Sequence, residues 1–176
     1  LARLHKASKG FIPPKDCVVR DDLGKIPQYF SKRLEEIKKL SKIARKGRSK
    51  FDYMFLSNFD YFYSLGENAL ELINSSRYEN LVKVSREERV LCHHDYTHHN
   101  IIKNGETYSV LNFEFCCFEV KVYDLANLLR RKMRRCNWDI DEARIIIDEY
   151  RSIENLSEDD IYVMKTILQF PQKLWR

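Results

Sequence analysis

Asn104-Gly105, with a strand-like run on each side, is the feature that most restricts the fold. This dipeptide favours a two-residue hairpin turn with both turn residues at positive φ. The runs at 100–103 and 107–111 are therefore expected to pair as antiparallel strands joined by Asn104-Gly105. A third strand-like run, Val90-Leu91-Cys92, precedes them. Between it and the hairpin lies His93-His94-Asp95-Tyr96-Thr97-His98-His99-Asn100, which holds four of the five histidines. Ionisable residues in a loop entering a hairpin serve function more often than packing.

Most of the remaining chain carries helical periodicity. Leu1 to Ala7 reads as the tail of a helix, closed by Gly10. Residues 11–24, with Pro13-Pro14, read as loop. From 27 to 46 the apolar positions Ile26, Phe30, Leu34, Ile37, Leu40 and Ile43 step by three or four, predicting an amphipathic helix that ends at Gly47. A second long helix over 51–74 is crowded with rings, which predicts burial on more than one side and core packing rather than a ligand box. A short helix is expected over 77–84, then a polar connection over 85–89. Residues 112–121 read as irregular. Helical pattern resumes at Asp124, a candidate for the N-cap or first turn, with Leu125, Leu128 and Leu129 as an apolar stripe. Further helices are expected over 139–153 and after Ser157, where Asp160 takes the capping-box position; the last ends before Pro171. The fold class that follows is α+β, mostly helical, with one small β-hairpin.

Bulk properties remove several classes. The 176 residues suit one domain with a real core. At 44% hydrophobic and 32% charged, with few Gly and Pro, the chain is not compositionally disordered. No apolar run is long enough to span a membrane. The five cysteines are odd in number and lack paired spacing, so free thiols are expected, including the adjacent Cys116 and Cys117. Net charge is +5, with a basic run at Arg130, Arg131, Lys132, Arg134 and Arg135. It reads as a solvated helix end, where cations suit the negative pole of the dipole; without interleaved aromatics it does not predict nucleic-acid binding. The chain opens in helical register without Met and closes on Phe170-Pro171-Gln172-Lys173-Leu174-Trp175-Arg176, with a large aromatic beside the end. It reads as a piece of a longer protein.

Three chemistries compete for the histidine-rich loop. A metal held by imidazoles needs ligands converging from fixed elements, and no second Cys or His cluster supplies them. A nucleophilic Cys92 has no independent support and reads as buried packing. Phosphoryl transfer matches the spacing: a carboxylate that orients a hydroxyl acceptor, then five residues later an asparagine that holds Mg²⁺. Here these are Asp95 and Asn100, with a further acidic group expected after the next strand.

The run HHDYTHHNIIKNGETYSVLNFEF followed by VYDLANLLRR resembles the aminoglycoside-phosphotransferase and choline-kinase-like superfamily, with its H-G-D-x-x-x-x-N loop and I-D-F/W-D/E strand end. The wording CHHDYTHHN, the VYDLANLLRR run and the closing FPQKLWR resemble most the CotS-type kinase-like proteins of the spore coat. The opening LARLHKASKGF is similar to the start of their C-terminal lobe. The resemblance implies that residues 1–176 are the C-terminal lobe of a protein-kinase-like fold, without the N-terminal nucleotide-binding lobe. It implies ATP and Mg²⁺ as cofactors, a small hydroxyl- or amine-bearing acceptor of unknown identity, and a place in the mother-cell cytoplasm or the spore coat, with other coat proteins as partners. By position, Asp95 matches the catalytic carboxylate, Asn100 a metal-binding asparagine, His93 the structural histidine that opens the loop, and Asp124 the acid that braces it.

Two positions depart from the pattern. His94 stands where these kinases carry Gly. Asn112 stands where they carry the principal Mg²⁺-binding aspartate, and an amide brings no negative charge to a hard cation. Glu114 is a possible second metal ligand, because in extended chain the side chains at 112 and 114 point the same way. Two readings follow: an ATP-dependent small-molecule phosphotransferase, or a weakened pseudokinase serving as a structural or binding component of the coat. Without the N-terminal lobe, residues 1–176 alone are not expected to catalyse. The basic run also predicts that aminoglycosides, which are cationic, are not the substrate.

Overall fold

The computed structural model describes all residues except Lys173, Trp175 and Arg176, and all side chains among the rest except that of Ser76. The sequence reading of Trp175 thus lies outside the described residues. The helices are α1 (Ala2–Ser8), α2 (Ile26–Ala44), α3 (Lys50–Ile73), α4 (Ser76–Glu88), α5 (Val122–Met133), α6 (Ile140–Arg151) and α7 (Glu158–Gln169). The strands are β1 (Arg20–Asp21), β2 (Leu91–Cys92), β3 (Ile101–Asn104), β4 (Thr107–Val110) and β5 (Cys117–Phe118). The fold is mostly helical α+β, as expected.

The main core joins α2, α3, α4, α5 and α7 through Ile26, Phe30, Leu34, Ile73, Leu81, Leu125, Leu129, Val163 and Ile167. A smaller cluster of Ile37, Ala44, Phe55 and Phe59 locks the far ends of α2 and α3 together. Capping boxes open two helices, the expected one at Ser157/Asp160 of α7 and another at Ser49/Asp52 of α3. Each satisfies otherwise orphaned N–H groups of the first turn.

Several expectations change in detail. The buried face of α2 runs Ile26, Phe30, Leu34, Ile37, Ser41, Ala44, so Leu40 and Ile43 turn outward. Among the α3 rings only Phe55 and Phe59 are buried, while Phe51, Tyr53 and Tyr61 face solvent. The helix therefore buries one face, along which Phe51, Phe55, Phe59 and Tyr63 stack in succession. Residues 85–88, read as a connection, continue α4 to a left-handed cap at Arg89 (φ 49°). The hairpin forms, but Asn104 pairs with Thr107, so its loop is Gly105-Glu106. Of the loop residues only Gly105 has positive φ (58°), as in a type II′ turn.

The larger correction concerns 11–24 and 112–121, read as loop and irregular chain. Each contributes a two-residue strand to a three-stranded sheet ordered β1-β5-β2. β5 lies in the middle, parallel to β1 and antiparallel to β2, with Cys117 opposite Arg20 on one side and Cys92 on the other. This sheet holds the base of the 93–100 loop. The cysteines are all free, as predicted.

Candidate active site

The loop begins as the chain leaves β2 and is fixed from below by one carboxylate. Asp124, in the first turn of α5, is buried and accepts from two consecutive backbone N–H groups: His93 N to Oδ2 at 2.6 Å and His94 N to Oδ1 at 2.9 Å. His5 Nε2 of α1 lies 3.3 Å from Oδ2, and His5 Nδ1 lies 2.7 Å from the Tyr150 hydroxyl of α6. Burial pushes the Asp124 carboxyl up, but His5, His94 and the His93 N–H outweigh it and hold the group below its ordinary range. Asp124 thus lies in the first turn of α5 and ties that helix to the start of the loop.

His93 is buried, with Nε2 2.8 Å from the Leu111 carbonyl oxygen and Nδ1 accepting from the Asp95 N–H at 3.2 Å. Its ring ties the start of the loop to the end of β4. His94 adopts φ 62°, the left-handed conformation for which glycine is suited, so the backbone shape survives the departure from Gly. Its ring stacks on Tyr123 with centroids 4.5 Å apart, and burial holds its imidazole below the ordinary value.

The functional edge is a chain of side-chain hydrogen bonds. Asn100 Nδ2 donates to the Asp95 carbonyl oxygen at 2.8 Å and to Asp95 Oδ2 at 2.9 Å. Asn112 Nδ2 donates to Asn100 Oδ1 at 2.7 Å. The amide orientations follow from the network: Asn100 faces two oxygens of Asp95, so its nitrogen points there and its oxygen points at Asn112, which must answer with nitrogen. Asn112 itself is left-handed (φ 61°), a conformation that Asn tolerates better than most residues. The other Asp95 oxygen, Oδ1, accepts from Arg131 Nη2 of α5 at 3.2 Å.

Asp95, Asn100 and Asn112 are therefore brought together, but in a form that does not suit Mg²⁺. The Asn100 oxygen accepts from the Asn112 amide, Asn112 carries no charge, and Asp95 is paired with Arg131. Glu114 does not repair this through strand geometry. Phe113–Phe115 is a 3₁₀ turn entered from a left-handed residue, so the alternation that would align 112 with 114 is absent, and Glu114 is exposed. The imidazole cluster also disperses: His93 and His94 turn inward, while His98 and His99 are exposed on a separate 3₁₀ turn.

Three contributors were not singled out in the sequence. Arg131 had a legible signal, since it lies seven residues after Asp124 and thus on the same helix face. The basic run is not simply solvated: Arg130 bonds to Asn127 and Gln172, and Lys132 pairs with Glu142. His5 and Arg20 had no local signal. Arg20 Nη2 lies 3.1 Å from His94 Nδ1 and donates to the Phe115 carbonyl oxygen at 3.1 Å, while its Nε is 2.9 Å from Asp22. Burial pushes the Cys117 thiol up to about 12, although the adjacent Arg20 opposes the shift.

Residues 1–175 match the family described as "Spore coat putative kinase YutH". The chain belongs to this family. Spore coat protein S of Bacillus subtilis (strain 168) is 26% identical over 170 residues, covering 95% of the chain and 48% of that protein. An uncharacterized protein, the MG356 homolog of Mycoplasma pneumoniae, is 32% identical over 87 residues, 48% of the chain and 29% of that protein. The chain thus spans about half the length or less of these relatives. A crystal structure of an aminoglycoside phosphotransferase from Alicyclobacillus acidocaldarius superposes with a TM-score of 0.86 at 22% identity, covering 99% of the chain and 52% of that structure. At that identity the likeness shows the fold. The spore-coat YutH family chain described here therefore has the architecture of a kinase-like lobe, as its loop motif implied.

Proposed function

We propose that the protein is a kinase-like component of the spore coat in which the loop is kept as a binding scaffold and metal-assisted phosphoryl transfer is weakened. The observation that carries this reading is the 2.7 Å hydrogen bond from Asn112 to the Asn100 oxygen. It places a neutral donor where the superfamily pattern calls for an anionic metal ligand, and a metal would have to compete with it for the neighbouring Asn100 oxygen. Family membership and the spore-coat relative support the location; other coat proteins are the partners that this reading implies.

The alternative is an active ATP- and Mg²⁺-dependent phosphotransferase acting on a small molecule. The retained Asp95–Asn100 contact favours it, because Asp95 would then be the group that orients the acceptor.

Calorimetry on the full-length protein separates the two. Wild type is expected to show at most weak heat with ATP and Mg²⁺. Asn112→Asp, which restores the charge, should tighten Mg²⁺-dependent nucleotide binding about tenfold or more, about 1.4 kcal/mol. Mg²⁺-dependent turnover by wild type that Asp95→Ala abolishes and Asn112→Asp leaves unchanged would overturn the proposal.

A further inference from the structure

Behind the loop lies a second cluster that the preceding reading does not use. We propose that Asp22, His94 and Cys117 form a cage for a thiophilic divalent metal of the Zn²⁺ class, with the Arg20 guanidinium as the resident cation that the metal displaces.

The sheet order brings these residues together. Cys117 stands on the central strand β5, Asp22 follows β1 on one side, and His94 follows β2 on the other. One ligand atom from each lies within 4.8 Å of the other two. Asp22 and Cys117 are buried. Ligands fixed by paired strands are held more firmly than ligands on free loops.

The donor set is also suitable. Carboxylate, imidazole and thiolate are all ligands of Zn²⁺, and three protein ligands leave the fourth tetrahedral position open. Access to that position exists, because Arg20, Asp22 and His94 line a cavity of about 290 Å³. Two features of His94 are unfavourable. It is a non-glycine residue in the left-handed region, and its Nε2 is buried without a hydrogen-bond partner among the described residues.

The cage already recognises a positive charge. Arg20 Nε is 2.9 Å from Asp22 Oδ2, its Nη2 is 3.1 Å from His94 Nδ1, and Arg20 stands opposite Cys117 in the β1–β5 pair. Arg20 can leave, since 46% of its side chain is exposed, whereas Asp22 and Cys117 are buried within the fold. On binding, the Cys117 thiol gives its proton to solvent. The resulting thiolate, the Asp22 carboxylate and a neutral His94 nitrogen bind the metal, Arg20 swings outward, and nothing is oxidised or reduced. Because Arg20 also holds the Phe115 carbonyl, metal entry releases the turn that follows Asn112. The cage thereby couples metal to the candidate active site. The other such trio among the described residues, His5, Cys92 and Asp124, is wholly buried, and its His5–Asp124 pair is committed to bracing the loop.

Co²⁺ titration of the purified protein tests this through the thiolate-to-cobalt charge-transfer band. The expected result is one-to-one uptake, with the band displaced by Zn²⁺. Cys117→Ser should abolish the band, Asp22→Asn should weaken binding about tenfold, and Arg20→Gln should tighten it about tenfold, each about 1.4 kcal/mol if so. Circular dichroism checks that each variant folds. Arg20→Gln and Cys17→Ser together are decisive, because a surface site formed by His98 and His99 has no reason to respond to the first and one that uses the exposed Cys17 is removed by the second. Loss of the band in Cys17→Ser, its survival in folded Cys117→Ser, unchanged affinity in Arg20→Gln, or no one-to-one uptake overturns the proposal. Should Cys117→Ser or Asp22→Asn fail to fold, the Arg20→Gln and Cys17→Ser results decide the matter.

Discussion

Glu119, between β5 and α5, is wholly buried, and only one of its carboxyl oxygens has a partner, the Val120 N–H. Burial pushes its carboxyl up to about 8, and the nearby Asp22, Asp124 and Asp21 add to the shift. An acid whose folded pKa lies above its unfolded value binds more protons in the folded state. Its contribution is therefore complete below about pH 4.5 and is lost as pH rises through about 8. Glu119→Gln keeps the shape and removes the titration. The variant is expected to match wild type near pH 5 and to exceed it near pH 8.5 by on the order of 2–4 kcal/mol in urea unfolding. A constant difference across that range would show that Glu119 titrates alike in the folded and unfolded states. At this scale the sequence was informative where a motif fixed the residue, as for Asp95, Asn100 and Asp124. It was silent where a residue acts across space: His5 meets Asp124 from 119 positions away, and no local pattern encodes that contact.

The helices were legible because periodicity is a local property, and α2, α3, α5, α6 and α7 all lie close to the expected bounds. The β1-β5-β2 sheet was not, since two-residue strands offer no alternation to read and draw their partners from distant chain. The hairpin lies between these cases: the Asn-Gly signal located it, but the register moved the turn by one residue. Helix packing also sets limits that propensity misses. Gly66 lies inside α3, where alanine ordinarily gains about 1 kcal/mol. A Cβ there would meet Leu34 Cδ2 at 2.6 Å, so the buried Leu34 side chain would have to shift. Overpacking costs about 1–3 kcal/mol, so Gly66→Ala is expected to be destabilising by about 1 kcal/mol net. A raised melting temperature would show that α2 and α3 can separate to admit the methyl group.

As a whole the molecule is basic, with a net charge of +5, and the one candidate catalytic carboxylate is paired with Arg131. That pair is partly exposed, 42% for Arg131 and 39% for Asp95, so it adds little to stability and acts chiefly on the local field. At this loop a polycationic aminoglycoside would meet an Asp95 carboxylate already paired with Arg131. Saturable kanamycin binding to the full-length protein is therefore not expected by calorimetry, and tight binding would contradict the charge argument. Among the described residues no helix is long and apolar enough to cross a membrane.

The His5–Asp124–Tyr150 linkage has a consequence for how the protein is made. Its contacts join positions 119 and 145 residues apart, so the bracing of the loop requires chain from both α1 and α6. Closing such long loops must precede any gain from the contacts they allow, which makes them late events in folding. On a ribosome α1 would wait, with its histidine unpaired, until the rest of the lobe had emerged. The loop would gain the His5–Tyr150 part of its brace only then, so a nascent or truncated chain lacks that support until the fold is nearly complete.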